Sequence, residues 1–402
     1  MRTVFHRYGS IVEPDIIEAF KKFDIEVVED DLEITQKSID SDTRIRVLSE
    51  AVLTNRPDFA FSINYFPYIA QICEKLQIYY LCLSVDCPVS EIYSKTIRSP
   101  YNRIFLFDYA QYESIVNENP EGIFYLPLAT NVNRWDEELG EFAPESVKYE
   151  YDVSLVGSLY EEKSVFRQIT DKVDEFSKGY LDGLLAAGAR VPGISIFDEV
   201  FKNPNKDVAA LIKDLERTAP SFFEKYTISD SLIDGKTFAI VQNLLGYELS
   251  ARDRVLLLNT LAMNSIDTHI FTRSSTDELD TRINIHGGVA THTQMPHVFR
   301  NSKINLNPTM RCIQTGLPQR IWDIMGCGGF VMTNIQTELP EYFEVGEDLV
   351  CYETLADAVE VAQYYLNHED ERMGIALNGY NKVKQHHTYE IRVAQMLKEV
   401  WG

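Results

Sequence analysis

Twelve short apolar runs limit what this chain can fold into. The first six are Thr3–Phe5, Ile25–Val28, Phe59–Ile63, Tyr79–Val85, Ile104–Phe107 and Ile123–Leu126. A second set follows at Val153–Val156, Thr268–Thr272, Ile283–Ile285, Ile304–Leu306, Phe330–Thr333 and Leu349–Tyr352. Runs this short and this continuously apolar, parted by amphipathic stretches, describe strands buried on both faces by helices. The reading is an α/β protein with two doubly wound, Rossmann-like domains. A length of 402 residues agrees, because one core seldom serves so long a chain.

Between the first two strands of the second set the pattern changes. From about residue 161 to residue 259 it is helical and charged, as in Asp207-Val-Ala-Ala-Leu-Ile-Lys-Asp-Leu-Glu216. That is too long for an ordinary strand-to-helix connection, so a helical insertion in the second domain is expected. The expected divisions are residues 1–147, then 148–388 containing the insertion.

Charge narrows the possible partners. The formal net charge is -23, from 38 Lys and Arg against 61 Asp and Glu. Nucleic-acid binding relies on clustered cations, and anionic membrane surfaces attract basic segments, so neither partner is expected. No apolar stretch approaches the roughly 18 residues of a membrane span. The opening MRTVFHRYGS has no apolar core of a secretory signal, and the six cysteines lack metal-type spacing. A cytoplasmic protein with reduced thiols is the expectation.

In a parallel sheet, ligands gather where the strands end. Gly9 and Gly157 each follow the first strand of a domain, where a residue without a side chain admits a ligand or simply permits a tight turn. Asp86 and Asp108 close strands in the first domain. Each reads either as a general base or as the cap of a turn or helix. Asp40 and Asp42 suggest a metal clamp, but they precede a helix that either can cap.

The densest constellation runs from residue 286 to residue 329. His286, Gly287, Gly288 and Val289 follow a strand, and their glycines allow backbone to lie against a ring or a phosphate. Asn307 ends the strand before a polar loop. Gly316, Leu317, Pro318, Gln319 and Arg320 then open a helix, with Pro318 expected at its first position, free amides for an anion and a cation for a diphosphate. Asp323, one turn on, suits the vicinal hydroxyls of a ribose, or pairs with Arg320 across the helix surface. Arg273 is a further candidate for phosphate or base.

The run Ile304-Asn-Leu-Asn, then Gly316-Leu-Pro-Gln-Arg-Ile-Trp-Asp-Ile-Met-Gly-Cys-Gly-Gly-Phe-Val, then Glu338-Leu-Pro-Glu-Tyr-Phe343 and His387-Thr-Tyr-Glu-Ile-Arg392 resembles the C-terminal half of the spore-maturation (CgeB-like) glycosyltransferases. Phe61-Ser-Ile-Asn-Tyr-Phe-Pro67, Val85-Asp-Cys-Pro88 and Tyr125-Leu-Pro-Leu-Ala129 are similar to the acceptor-side domain that accompanies it. The resemblance implies a GT-B fold, two Rossmann-like halves facing across a cleft, with a last helix, 389–402, crossing back to the first. It implies transfer of a sugar from a nucleotide-diphosphate donor, held by the C-terminal half, to a hydroxyl of a glycan or protein, with no bound metal and no other cofactor. Asp86, then Asp108, would be the base if the reaction inverts. The sequence departs from the pattern at Asp323, where the family commonly has Glu, and at Thr315, where related retaining enzymes carry an acid. An epimerase of the same fold and a non-catalytic nucleotide-sugar binder are the other readings.

Overall fold

The computed structural model describes residues 1–402 other than Lys37, Pro192 and Ser229. The chain divides into two compact units. Unit 1 comprises Met1–Asn131, Ile228–Leu232 and His386–Gly402; unit 2 comprises Val132–Thr227 and Ile233–Gln385.

Unit 1 holds strands β1 (Arg2–His6), β2 (Glu26–Asp30), β3 (Phe59–Ile63), β4 (Tyr79–Leu83), β5 (Asn102–Leu106) and β6 (Ile123–Tyr125). They form one parallel sheet in the order β2-β1-β3-β4-β5-β6. Alternate side chains feed two cores. Phe5, Phe59, Phe61, Leu81 and Phe105 pack with the helix Glu13–Lys22 and with Tyr389, Val393 and Met396 of the helix Tyr389–Trp401. Val4, Ala60, Tyr80, Cys82 and Ile104 face the helices Ser41–Asn55 and Pro67–Leu76. Each buried Phe contributes about 2 to 3 kcal/mol by leaving water, and Phe61 also stands 4.9 Å from Phe5 and 5.0 Å from Phe20.

Unit 2 holds β7 (Tyr151–Val156), β8 (Thr268–Phe271), β9 (Asn284–His286), β10 (Ser302–Asn307), β11 (Val331–Asn334) and β12 (Val350–Tyr352). Its order, β12-β11-β10-β7-β8-β9, is again wholly parallel. Chain direction across the sheet reverses between β7 and β10, so the crevice expected of a doubly wound sheet opens at their carboxyl ends. In unit 1 the corresponding point lies between β1 and β3.

The insertion between β7 and β8 contains no strand among the described residues. Its final rod runs Gly235–Phe238, Ala239–Gly246 and Tyr247–Met263, and the middle piece is a π-helix. All eight residues of that piece are buried, and Gly246 leaves room for Cys312, whose sulfur would otherwise meet a side-chain carbon at 2.4 Å. Such widened turns recur at functional places in helices.

The glycine pair closing the helix Gln319–Gly326 has a packing cause. Gly328 adopts φ +78°, and a side chain there would strike Phe142; one on Gly329 would stand 2.8 Å from Asn305 Nδ2 and from the Phe299 carbonyl. Asp40 caps the helix Ser41–Asn55 by accepting from Thr43 N at 2.8 Å. No helix among the described residues is long and apolar enough to cross a membrane. All six cysteines are free, and burial raises the pKa of Cys73, Cys82, Cys312, Cys327 and Cys351, which keeps those thiols protonated and unreactive.

At the end of β1, buried His6 lies between Asp30 (Nδ1 to Oδ2, 2.8 Å) and the Tyr68 hydroxyl (Nε2 to Oη, 2.9 Å), with Glu33 3.5 Å away. Burial alone would lower the His6 pKa; the bonds and charges of Asp30 and Glu33 outweigh it, and the value is raised. The stability this gives is complete below the ordinary value near 6.5 and is lost as pH rises through the elevated one. Glu33, itself paired with Arg44 at 2.6 Å, is lowered first by its His6 bond and contributes in the opposite sense as pH falls. Melting temperature measured from pH 6 to pH 9 is therefore expected to decline, and His6→Gln should remove that slope. An unchanged slope in the variant would refute the assignment.

Candidate functional site

In unit 2 the carboxyl ends of β7 and β10 bring two guanidinium groups together. Gly157 follows β7 at φ +140°, and its amide donates to the Phe271 carbonyl at 2.9 Å. A side-chain carbon at Gly157 would stand 3.2 Å from Arg320 Nη2, so the bare turn is what lets that guanidinium lie over the strand end. Arg320 Nη1 is buried with no hydrogen-bond partner, and among the described residues no carboxylate reaches ion-pair distance of it. Burial, followed by the nearby Arg254 charge, lowers its pKa to about 10. It remains a cation at neutral pH.

Arg254 comes from the last helix of the insertion and was not among the residues read from sequence. It is 8% exposed. It donates to the Ser158 carbonyl, to the Pro308 carbonyl at 3.0 Å and to the Tyr160 hydroxyl at 3.4 Å, with its Cζ 4.1 Å from the Tyr160 ring centre. Its Nε has no partner. The only signal in the sequence was an arginine on a charged insertion helix, indistinguishable there from a solvated one. Two uncompensated cations at a switch point form a site for a multiply charged anion.

Next to this pair, the loop after β8 is tied to the loop after β7 by the Leu159 amide donating to Ser274 Oγ at 2.8 Å. Arg273 is exposed and lies across Gly288: a side chain on Gly288 would be 2.4 Å from Arg273 Cγ. His286 stacks on Phe271 at 4.3 Å, with an angle of 8°, and faces His269 Nδ1 at 3.1 Å. Burial and the His269 charge lower its pKa. Gly287 has open space where a side chain would be, and Val289 is half-buried.

Other candidates carry internal roles. Asn307 is buried and donates to Thr309 Oγ1 and Thr333 Oγ1, both at 3.0 Å, which fixes the loop it precedes. Leu317 is core, and its carbonyl accepts from Trp322 Nε1 at 3.4 Å. The Gly316 carbonyl accepts from Gln336 Nε2 at 3.1 Å. Pro318 is the residue preceding the helix, which begins at Gln319 and not at the proline. With φ −68° and ψ 155°, Pro318 is extended, so its carbonyl can accept from Ile321 N. Asp323 and Arg320 do not pair. Asp323 is 6% exposed and accepts from Gln319 Nε2 at 2.9 Å, so a ribose contact there shares an engaged carboxylate.

In unit 1 the Gly9 turn, read from sequence as admitting a ligand or as a plain tight turn, has its amides occupied. Tyr8 N, Gly9 N and Ser10 N donate to Glu13 Oε1 at 2.9, 3.0 and 3.0 Å. Asp108 is 1% exposed and caps the helix Tyr109–Ile115 through Gln111 N at 2.9 Å, so a substrate hydroxyl cannot reach it as a base. Asp86 is exposed and accepts from Asn64 Nδ2 at 2.7 Å. Among the described residues no group of three His, Cys, Asp or Glu side chains could hold a metal ion.

Solved structures share this fold over nearly their whole length. A glycosyltransferase from Rickettsia africae is 11% identical, covers 100% of this chain and 99% of its own, and superposes with a TM-score of 0.51. Sucrose-phosphate synthase from Thermosynechococcus elongatus is 10% identical over 100% and 99% of the two chains, with a TM-score of 0.52. HepE from Anabaena, solved with UDP and glucose, is 10% identical over 99% of each chain, with a TM-score of 0.50. The fold is GT-B. Within this GT-B chain, residues 253–398 match a family model described as glycosyl transferase-like. No curated protein sequence matches it.

The Gly157 geometry makes a test. Gly157→Ala should place a methyl against the Arg320 guanidinium and strain the turn, costing about 1 to 3 kcal/mol. Chemical denaturation measures the cost. A variant as stable as the parent would mean that Arg320 is not held over this turn.

Proposed function

We propose that the chain is a glycosyltransferase that takes a sugar from a nucleotide-diphosphate donor bound at the switch point of unit 2 and passes it to a hydroxyl of a glycan or protein. One observation carries the proposal: Arg254 and Arg320 stand at the ends of β7 and β10 without a carboxylate to neutralise them. A chain of net charge -23 has many acids, and among the described residues none stands at ion-pair distance from either guanidinium. The match of residues 253–398 to a glycosyl transferase-like family and the UDP and glucose bound by HepE support the same reading.

The proposed roles follow from position. Arg320 and Arg254 hold the diphosphate, and as the glycosidic C–O bond breaks, they stabilise the negative charge that collects on the leaving nucleoside diphosphate. Gly157 admits the Arg320 guanidinium over the strand end, where it would meet the phosphates. Arg273 with the loop His286–Val289 receives the nucleoside, and Asp323, steadied by Gln319, accepts from the ribose hydroxyls. In unit 1, Asp86 takes the proton of the acceptor hydroxyl whose oxygen forms the new bond to the sugar, should the course be inverting. Bound metal has no assigned role in this scheme.

Thermal unfolding in the presence of UDP tests the donor site. At about a hundred times its dissociation constant, a ligand bound only by the native state adds roughly 2.7 kcal/mol, or several degrees of melting temperature. Arg320→Ala should lose most of that shift, because a charge-assisted phosphate contact contributes about 1.5 to 3 kcal/mol. Asp86→Asn should keep the shift while losing transfer. A parent chain that no nucleoside diphosphate stabilises at millimolar concentration would sink the proposal, and donor turnover without release of nucleoside diphosphate would point to an epimerase.

A further inference from the structure

Unit 1 treats its own switch point in the opposite way to unit 2. The two devices that recognise an anion, turn amides and unpaired guanidinium groups, are present there but already engaged. Glu13, fully buried, accepts from the three turn amides with one oxygen, and from Arg7 Nε at 3.1 Å with the other. Arg7 also binds Glu29, and Arg44 binds Glu33. What remains unneutralised is a carboxylate, Asp86.

That carboxylate is held in place. Asn64 ends β3 in the left-handed region, at φ 56°, which an Asn tolerates better than most side chains. Its Oδ1 accepts from Val85 N at 2.9 Å and Asp86 N at 3.2 Å, while its Nδ2 donates to Tyr8 Oη at 2.8 Å and Asp86 Oδ2 at 2.7 Å. One amide thereby links the ends of β1, β3 and β4. Beside it, Phe66 is half-buried among ring edges, 5.1 Å from His6, 5.5 Å from Tyr8 and 5.6 Å from Tyr68.

We propose that this edge of unit 1 is an acceptor subsite for an uncharged sugar ring, whose hydroxyls donate to Asp86 and whose apolar face lies on the Tyr8–Phe66 wall. A pyranose presents both surfaces, one of C–H groups suited to an aromatic ring and a rim of hydroxyl donors suited to a fixed carboxylate. A phosphorylated or carboxylated acceptor meets the negative charge of Asp86, and the turn amides, Arg7 and Arg44 are already engaged by carboxylates. The inference rests on the glycosyltransferase reading, and it adds the acceptor's chemical class.

Binding of methyl β-glucoside, N-acetylglucosamine and glucose 6-phosphate to the full chain, followed by ligand-observed NMR with and without saturating UDP, tests it. The two neutral sugars should bind in the millimolar range and glucose 6-phosphate at least about tenfold more weakly, since its phosphate is repelled by the Asp86 carboxylate. Asp86→Asn and Phe66→Leu, both conservative in volume, should each weaken the neutral sugars about tenfold and leave UDP affinity unchanged, which also reports that the variants are folded. Equal or tighter binding of glucose 6-phosphate, neutral-sugar binding indifferent to both substitutions, or no sugar binding at all would overturn the subsite. UDP binding retained in any of those cases leaves the donor site standing, and UDP binding absent from the parent removes the donor reading separately.

Discussion

Arg254 joins the parts of unit 2 on which the rest of its site depends. Its guanidinium donates to backbone carbonyls that follow β7 and β10, and so pins the last insertion helix to both strands bounding the switch point. Carbonyl oxygens satisfy its N–H groups without cancelling its charge. A desolvated, unneutralised cation costs several kcal/mol. Arg320, brought close by the bare turn at Gly157, adds a second. A fold that sustains both has compensated elsewhere, through cores such as that around Trp322, which is fully buried and packs on Tyr342 and Phe343 at 5.7 and 5.2 Å. Strain of this kind, concentrated at one edge of a sheet, is characteristic of a binding site.

The same architecture has been given two electrostatic outcomes. In each unit a parallel sheet reverses direction, and a glycine with positive φ follows the first strand. In unit 1 an internal carboxylate fills the turn, so the amides are unavailable to any ligand. In unit 2 the turn is crossed by a cation instead. The difference lies in a few side chains, Glu13 on one side and Arg320 with Arg254 on the other.

The strands were legible because burial on both faces leaves a run of apolar residues whatever the rest of the chain does. Each apolar run read from the sequence overlaps one of the observed strands, and the insertion was legible as a change of period. Boundaries were less so: Pro318 can occupy either the first helical position or the one before it, and only the turn's extended ψ decides between them. The π-helical stretch Ala239–Gly246 leaves no mark in periodicity, and the Cys312 sulfur packed against Gly246 comes from a distant loop. Of the candidate residues, Gly157 and Arg320 do converge. Asn307 and Asp108 proved to hold the scaffold, because an amide or carboxylate at a strand end looks the same whether it faces a ligand or a backbone amide. Arg254 was invisible, for its partners lie 96 and 54 positions away.

The burial of the arginine pair inside so acidic a chain has a kinetic consequence. A nucleotide sugar carries negative charge, and at low ionic strength, where the Debye length reaches about 30 Å at 0.01 M, an approaching one would feel the -23 of the protein before the two buried cations at the strand ends. For the donor proposed above, encounter would be slowed by repulsion, and added salt would quicken the approach while weakening the hold on the diphosphate. On-rate and residence time would then respond to ionic strength in opposite directions.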